Sequence, residues 1–309
     1  MKLCRFEQQG EAAVGFFLDD QVIPLSTAAD AAGETLEATD DLLSFLPHGS
    51  QHDAAQKMDA WLAGNESAAA DLVITNASIL TPIPKANKLL LLAGNYAKHI
   101  EEGGENAVER AQTYPYVFMK PASTTLNHHG GEIPIPDISP DNIDWECELG
   151  VVIGKKAKDV SEAEALEYVA GYTVVNDISD RGFRPNPNRK ERERDKFFDW
   201  QHGKWHDGSC PVGPCIATPA TIPDPQNLPI KLTVNGEVHQ DANTFLQIFP
   251  VAAVIEFISS FVTLEPGDII STGTAAGVGH AKGVHLKAGD QVEASIGGIG
   301  ILKNTVISS

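Results

Sequence analysis

Apolar positions along this chain recur mostly with period two, in short runs closed by turn residues. Residues 1–6, 12–18 and 21–25 read as three strands, with turns at Gln9-Gly10 and Asp19-Asp20. Around residues 53–62 the spacing changes to helical, through Ala55, Met58 and Leu62, and Gly64-Asn65 ends that run. Residues 72–80 are again strand-like until Thr81-Pro82-Ile83-Pro84 breaks regular structure. The break predicts a small N-terminal α+β domain over residues 1–84 and a main domain over residues 85–309.

The main domain opens with residues 89–92, a run short enough for a buried strand, and Ala93-Gly94-Asn95 then turns into a helix. Asn95 is the expected cap of that helix and Gly103-Gly104 its stop. Ser161-Glu162-Ala163-Glu164 has the form of a capping box, predicting a helix with Leu166, Val169 and Ala170 on its apolar side. Residues 230–234 and 237–240 flank Asn235-Gly236, a hairpin signal. A helix is expected over residues 251–261 and strands over 269–272 and 291–296, each strand following a Gly-Asp turn. There is no fixed-period repeat. Many antiparallel strands and few helices predict a β-rich α+β fold built on a folded-over sheet, rather than a doubly wound one.

Within that pattern, residues 143–150 are unusual. Strand alternation places Ile143, Trp145, Cys147 and Leu149 on one face and Asp144, Glu146 and Glu148 on the other. Carboxylates at i and i+2, roughly 7 Å apart, repel by about 2 kcal/mol at an effective dielectric near 20. Such a face is either a solvated sheet edge or a site for a counter-cation. Oxygen ligands without a neighbouring thiolate or imidazole pair favour Mg²⁺, Mn²⁺ or Ca²⁺ over Zn²⁺. Asp177 ends a second strand-like run, and the intervening chain is long enough for a helical crossover that brings it beside Glu148. His99 and Glu102 lie at i and i+3 on the expected helix, a spacing that serves either a general base or an ordinary surface pair.

Charge narrows the partners. In 309 residues, 23 Lys and Arg stand against 42 Asp and Glu, a net charge of −19. This argues against nucleic acid or an anionic membrane and for a small-molecule partner. Against that background, Arg181, Arg184, Arg189, Lys190, Arg192, Arg194 and Lys196 form a local inversion around a Pro-Asn-Pro-Asn turn, either a lid over an anionic substrate or a solvated helix. Cys4, Cys147, Cys210 and Cys215 show no C-x-x-C spacing and no leader pattern precedes them, so reduced thiols and a cytoplasmic location are expected. No apolar run approaches the roughly 20 residues of a membrane helix.

A series of motifs carries a stronger signal. In order they are Tyr96-x-x-His99-x-x-Glu102, Phe118-Met119-Lys120-Pro121, Asp144-x-Glu146-x-Glu148-Leu149, Asn176-Asp177, Gly203-Lys204-x-x-Asp207, Cys210-Pro211-Val212-Gly213-Pro214, Asn235-Gly236, Glu265-Pro266-Gly267-Asp268, Thr272-Gly273-Thr274 and Gly277-Val278-Gly279. Over roughly residues 85–307 the chain resembles the fumarylacetoacetate hydrolase family. The resemblance implies a mixed β-sandwich roll, usually dimeric, in which Glu146, Glu148 and Asp177 bind Mg²⁺ or Mn²⁺ and Asp144 stands outside the ligand set. It places His99 and Glu102 as a water-activating dyad, Lys120 and Lys204 around the substrate, and Thr274 at its carboxylate end. Gly273 and Arg181 complete the expected substrate contacts.

Family substrates are typically 2-oxo or 2,4-dioxo acids whose reactions pass through a metal-stabilised enolate. The expected activity is hydrolysis of a C–C bond in a 2,4-dioxo acid of the acylpyruvate or fumarylpyruvate type. The alternatives are an isomerase, tautomerase or decarboxylase of 2-hydroxymuconate-like or oxaloacetate-like acids, and a non-catalytic metal-stabilised binding protein. The chain departs from the family pattern in a longer stretch between Asp180 and Gly203, in Ala275, and in Trp205-His206. All three bear on the substrate more than on the metal.

Overall fold

A computed structural model gives the structure of residues 1–308. The N-terminal alternation produces the strands Lys2–Gln8, Glu11–Leu18 and Gln21–Pro24, with left-handed backbone at Gln9, Gly10, Asp19 and Asp20 in the tight turns. The helix His52–Gly64 follows, burying Ala55 and Met58. Of residues 72–80 only Ser78–Leu80 is a strand; Ile74 instead exchanges two backbone hydrogen bonds with Val22.

The first strand does not stay within its own unit. Lys2 and Leu3 pair with Ala217 and Ile216, so the N-terminal hairpins extend an 11-stranded sheet. Across that sheet the order continues through Cys210–Ala217, Val169–Asn176, Cys147–Ile153, Ile269–Thr274, Leu89–Ala93 and Tyr116–Met119. A second sheet of five strands runs Glu237–Asn243, Pro229–Val234, Gln291–Ile296, Gly300–Ser308 and Glu132–Ile135. Asn235 and Gly236 both take positive φ at the hairpin between the first two of these strands, as a type I′ turn requires. Most pairs are antiparallel; Leu89–Ala93 on Ile269–Thr274, Leu126–Asn127 on Cys210–Ala217, and Glu132–Ile135 on Gly300–Ser308 are parallel. The result is the strand-rich α+β architecture expected, and no helix among the described residues is long and apolar enough to cross a membrane.

Two apolar layers sandwich the large sheet. Cys147, Leu149 and Val151 pack with Ile230, Leu232, Val292 and Leu302 of the five-stranded sheet. On the opposite face, Val152, Val175, Leu89 and Leu91 pack with Leu25, Leu42, Phe45 and Met58 from the N-terminal region. Every residue of Cys147–Ile153 is therefore buried. A solvated sheet edge, one of the two readings of the acidic face, is excluded.

Two local expectations are corrected. The capping-box pattern gives only a 3₁₀ turn, Ala165–Tyr168, because Val169 and Ala170, counted on its apolar side, already belong to the strand Val169–Asn176. That strand pairs antiparallel to Cys147–Ile153, Cys147 facing Asn176 and Ile153 facing Val169, so a simple reversal replaces the helical crossover. Asn95 is likewise no helix cap: its side-chain amide donates to the carbonyls of Phe249 (3.1 Å) and Thr272 (2.8 Å), and Tyr96 occupies the cap position of Ala97–Glu102.

Candidate active site

Register brings the three acids together. Because Cys147 faces Asn176, Asp177 emerges beside Glu146; the Asp177 N–H donates to the Glu146 carbonyl (2.9 Å) and the Glu146 N–H to the Asn176 side chain (3.0 Å). The strand is interrupted at Trp145-Glu146, between Ile143–Asp144 and Cys147–Ile153, which lets Glu146 turn toward Asp177. From the other side, Ile269–Thr274 presents the Ser271 hydroxyl (2.5 Å) and the Gly273 N–H (2.9 Å) to one oxygen of Glu148. Gly273 holds φ 87°, and a Cβ there would lie 2.9 Å from that of Asn95, so the position demands glycine. One oxygen from each of Glu146, Glu148 and Asp177 then lies within 4.8 Å of the others.

Buried carboxylates this close need positive charge. Lys204 donates to Glu146 (2.8 Å) and Asp177 (2.6 Å), and Arg181 spans Asp144 (2.9 Å) and Glu146. Lys120 places all three of its hydrogens, on Asp177 (2.6 Å), the Ile178 carbonyl (2.9 Å) and the Ser209 carbonyl (2.8 Å). Asp144 also accepts from the Gly279 (2.6 Å) and His280 (3.2 Å) N–H groups. Burial pushes the Glu146 carboxyl up, but Lys204 and Arg181 outweigh it and hold it well below the usual range. Glu148 goes the other way: burial, then Asp177 and Glu146, push its carboxyl well above the usual range.

The donor set fits a hard divalent cation. Three carboxylates supply oxygen ligands only, and the second oxygen of Glu148 is buried with no hydrogen-bond partner. An ion held among them would satisfy that oxygen and offset both the burial and the like charges that raise Glu148.

His99 and Glu102 meet on the short helix Ala97–Glu102, with Nδ1 of His99 2.7 Å from Oε1 of Glu102. Glu102 also accepts the Gly277 N–H at 3.0 Å. Burial raises the Glu102 carboxyl, but the hydrogen bonds from His99 and Gly277 outweigh this and leave it below its ordinary value. An ionised Glu102 fixes the proton of the imidazole on Nδ1 and leaves Nε2 as the basic nitrogen. His99, Glu102 and Arg181 line a cavity of about 880 Å³.

The structure therefore gathers Glu146, Glu148, Asp177, Lys120, Lys204 and Arg181 into one buried cluster, with His99 and Glu102 on the wall of the adjoining cavity. Gly273 and Thr274 lie behind the acids and do not line the cavity; the Gly273 N–H is committed to Glu148, and the Thr274 hydroxyl donates to the Cys147 carbonyl (3.1 Å) and accepts from Gln240 (2.8 Å). Of the cationic run only Arg181 lines the cavity: Arg189 pairs with Asp195 and Asp199, and Arg192 with Asp195. Sequence reasoning did not single out the aromatic wall of Tyr114, Tyr116, Phe197 and Trp200, or the Ser271 hydroxyl on Glu148. Alternation through Tyr114, Tyr116 and Phe118 is the one signal that pointed there.

Residues 88–307 match the family described as fumarylacetoacetate (FAA) hydrolase, C-terminal. The chain is 38% identical over 309 residues to a 2,4-didehydro-3-deoxy-L-rhamnonate hydrolase of Sphingomonas sp. (strain SKA58), covering 99% of this chain and 96% of the relative. It is 39% identical over 235 residues to the mitochondrial oxaloacetate tautomerase fahd2 of Xenopus laevis, covering 75% of this chain and 69% of the relative. Among solved structures it resembles a maleylpyruvate hydrolase from Sphingobium sp. SYK-6, in complex with manganese(II) ion and pyruvate, with a TM-score of 0.72, 25% identity and full coverage of both chains.

Proposed function

The chain belongs to the fumarylacetoacetate hydrolase family, whose relatives here are hydrolases, isomerases and tautomerases, and we propose that it hydrolyses a C–C bond in a 2,4-dioxo acid. The observation that carries this reading is the His99–Glu102 pair, hydrogen-bonded at 2.7 Å on the wall of the cavity beside the acid cluster. A hydrolase needs a base to take a proton from water, and a polarised imidazole is suited to that task near neutral pH.

Glu146, Glu148 and Asp177 would hold Mg²⁺ or Mn²⁺, with Ca²⁺ a weaker candidate on the same oxygen ligands. When bound, such an ion supplies a Lewis acid for the oxygens of a 2-oxo acid. His99 takes the proton of the attacking water at Nε2, and Glu102 stabilises the imidazolium that results. Lys204, buried behind the cavity wall with its ammonium 5.3 Å from the centre of the Phe118 ring, is the cation we assign to neutralise oxyanion charge beside the acid cluster. Lys120 is a positioning residue: with every hydrogen spent, it fixes Asp177 rather than touching substrate. Arg181 fixes Glu146 and is the candidate contact for the substrate carboxylate, while Gly273 and Thr274 act by holding Glu148 and its strand.

The tautomerase relative supports a second reading, proton transfer on an oxaloacetate-like acid at the same site. Products separate the two. Acetylpyruvate should yield pyruvate and acetate, with activity abolished by EDTA, restored by Mg²⁺ or Mn²⁺, and lost in Glu148→Ala; tautomer exchange without cleavage of any 2,4-dioxo acid would favour the second reading. The proposal also includes a boundary between residues 84 and 85, close to the start of the family match at residue 88, and a cytoplasmic homodimer.

A further inference from the structure

The cavity is far larger than its chemistry needs. At about 880 Å³ it lies near the top of the roughly 300–1,000 Å³ that enclose drug-sized ligands, and a four- or five-carbon acid fills only its inner end. Its lining includes an aromatic wall of Tyr116, Phe118, Phe197 and Trp200, with Ile248 and Phe249 also contributing. Phe118 meets Trp200 edge to face at 5.0 Å, and Trp200 lies 6.0 Å from Phe197. This wall begins at the acid cluster itself, since the Lys204 ammonium that holds Glu146 and Asp177 also lies against the Phe118 and Trp200 rings.

Charge along the cavity is one-sided. Arg181 is the one Lys or Arg among its described lining residues, and its guanidinium is already spread over Asp144 and Glu146. The remaining formal charges on the wall are the carboxylates of Glu102 and Glu105. A substrate with a second carboxylate at its far end, as in fumaryl or maleyl compounds, meets no free Lys or Arg among the described lining residues, and Glu105 adds a like charge to the wall, Glu102 being committed to His99 and the Gly277 N–H. Losing its hydration without a counter-charge is costly. An uncharged apolar group instead gains burial against the aromatic wall.

Building on the reading that a 2,4-dioxo acid enters this cavity, we propose that the substrate is a monoanion, with its one carboxylate at the acid cluster and an uncharged aromatic or branched apolar acyl group against Phe118, Phe197 and Trp200. The enzyme thereby discriminates against acids carrying a distal carboxylate.

Three 2,4-dioxo acids that differ only in the distal group test this: acetylpyruvate (methyl), benzoylpyruvate (phenyl) and its 4-carboxyphenyl counterpart. Benzoylpyruvate should exceed acetylpyruvate in kcat/KM by at least about tenfold, and the carboxylated compound should fall at least about tenfold below benzoylpyruvate. Tyr116→Arg, at a position 75% exposed on the rim, should close most of the second gap by supplying a cation. Binding of phenylpyruvate and 4-carboxyphenylpyruvate to the Mn²⁺-loaded protein, followed by calorimetry, gives the same ranking independently of turnover. Preferential phenylpyruvate binding with no cleavage of any dioxo acid would overturn hydrolysis and uphold the specificity. Turnover with the carboxylated compound equal or preferred would overturn the specificity alone, and failure of both 2-oxo acids to bind would overturn both.

Discussion

The ammonium of Lys204 lies 2.6 Å from the Asp177 carboxylate, and neither side chain is more than 3% exposed. The same ammonium holds Glu146 at 2.8 Å, so one lysine ties together two of the three acids, one from each of two neighbouring runs of chain. Lys204→Met leaves those carboxylates short of one cation. In EDTA the variant should lose about 3–5 kcal/mol, the cost of breaking a buried pair. Removing a cation that competes for the same carboxylates should tighten Mn²⁺ binding, and because stabilisation by a ligand grows with its concentration relative to Kd, a fixed free Mn²⁺ concentration should stabilise the variant more than wild type. Urea unfolding with and without Mn²⁺ measures this, and equal metal stabilisation in the two proteins would count against a shared site.

His99 touches Glu102 and lines the cavity but supplies none of the three carboxylate oxygens. His99→Ala should lower kcat by about 10²–10⁴, the usual worth of a general base, while Mn²⁺ affinity changes by less than about threefold. Parallel loss of metal binding would mean that His99 serves the metal and not the water.

Glu102 gives a pH signature. Its folded carboxyl lies below the ordinary value of 4.5, because the hydrogen bonds from His99 and Gly277 outweigh the effect of burial. A depressed carboxyl contributes stability that is present above the unfolded pKa and lost as pH falls through the folded one. Glu102→Gln should therefore be less stable than wild type at neutral pH, and the difference should shrink as pH drops below 4.5. Denaturation midpoints taken from pH 7 to pH 3 check this; a pH-independent difference would show that the carboxylate is not held in its ionised form by its partners.

All four cysteines are buried free thiols. Burial pushes Cys210 and Cys215 up to about 12 and raises Cys4 and Cys147 well above the ordinary thiol value. Iodoacetamide at pH 8 should label none of them in the native protein and all four in urea, counted by intact-mass spectrometry. Rapid native labelling would indicate local opening of the large sheet.

Much of this site was legible because its chemistry is written into strand alternation. Glu146 and Glu148 stand two residues apart, and Asp177 ends the neighbouring run, so their convergence needed only adjacency of two strands. Their connection was misread because the pattern Leu166, Val169, Ala170 suits a helix face, whereas Val169 and Ala170 are spent in antiparallel pairing. Asn95 was misplaced for a similar reason: cap and core-bridge roles use the same amide, and only tertiary structure brings Phe249 and Thr272 to it. The aromatic wall was hidden because Phe118 and Trp200 come from segments far apart in the chain, and no spacing rule links them. Lys120 and Lys204 were visible as cations, but how many hydrogens each has left is fixed by carbonyls such as those of Ile178 and Ser209, which no pattern reveals.

Product formation from acetylpyruvate in ¹⁸O-labelled water tests the proposed hydrolysis most directly. With Mn²⁺ present, wild type should release pyruvate and acetate in equal amounts, with one solvent oxygen in each acetate formed, and His99→Ala should release neither above background. Conversion of the substrate without C–C cleavage, or cleavage that survives His99→Ala unchanged, would contradict the account.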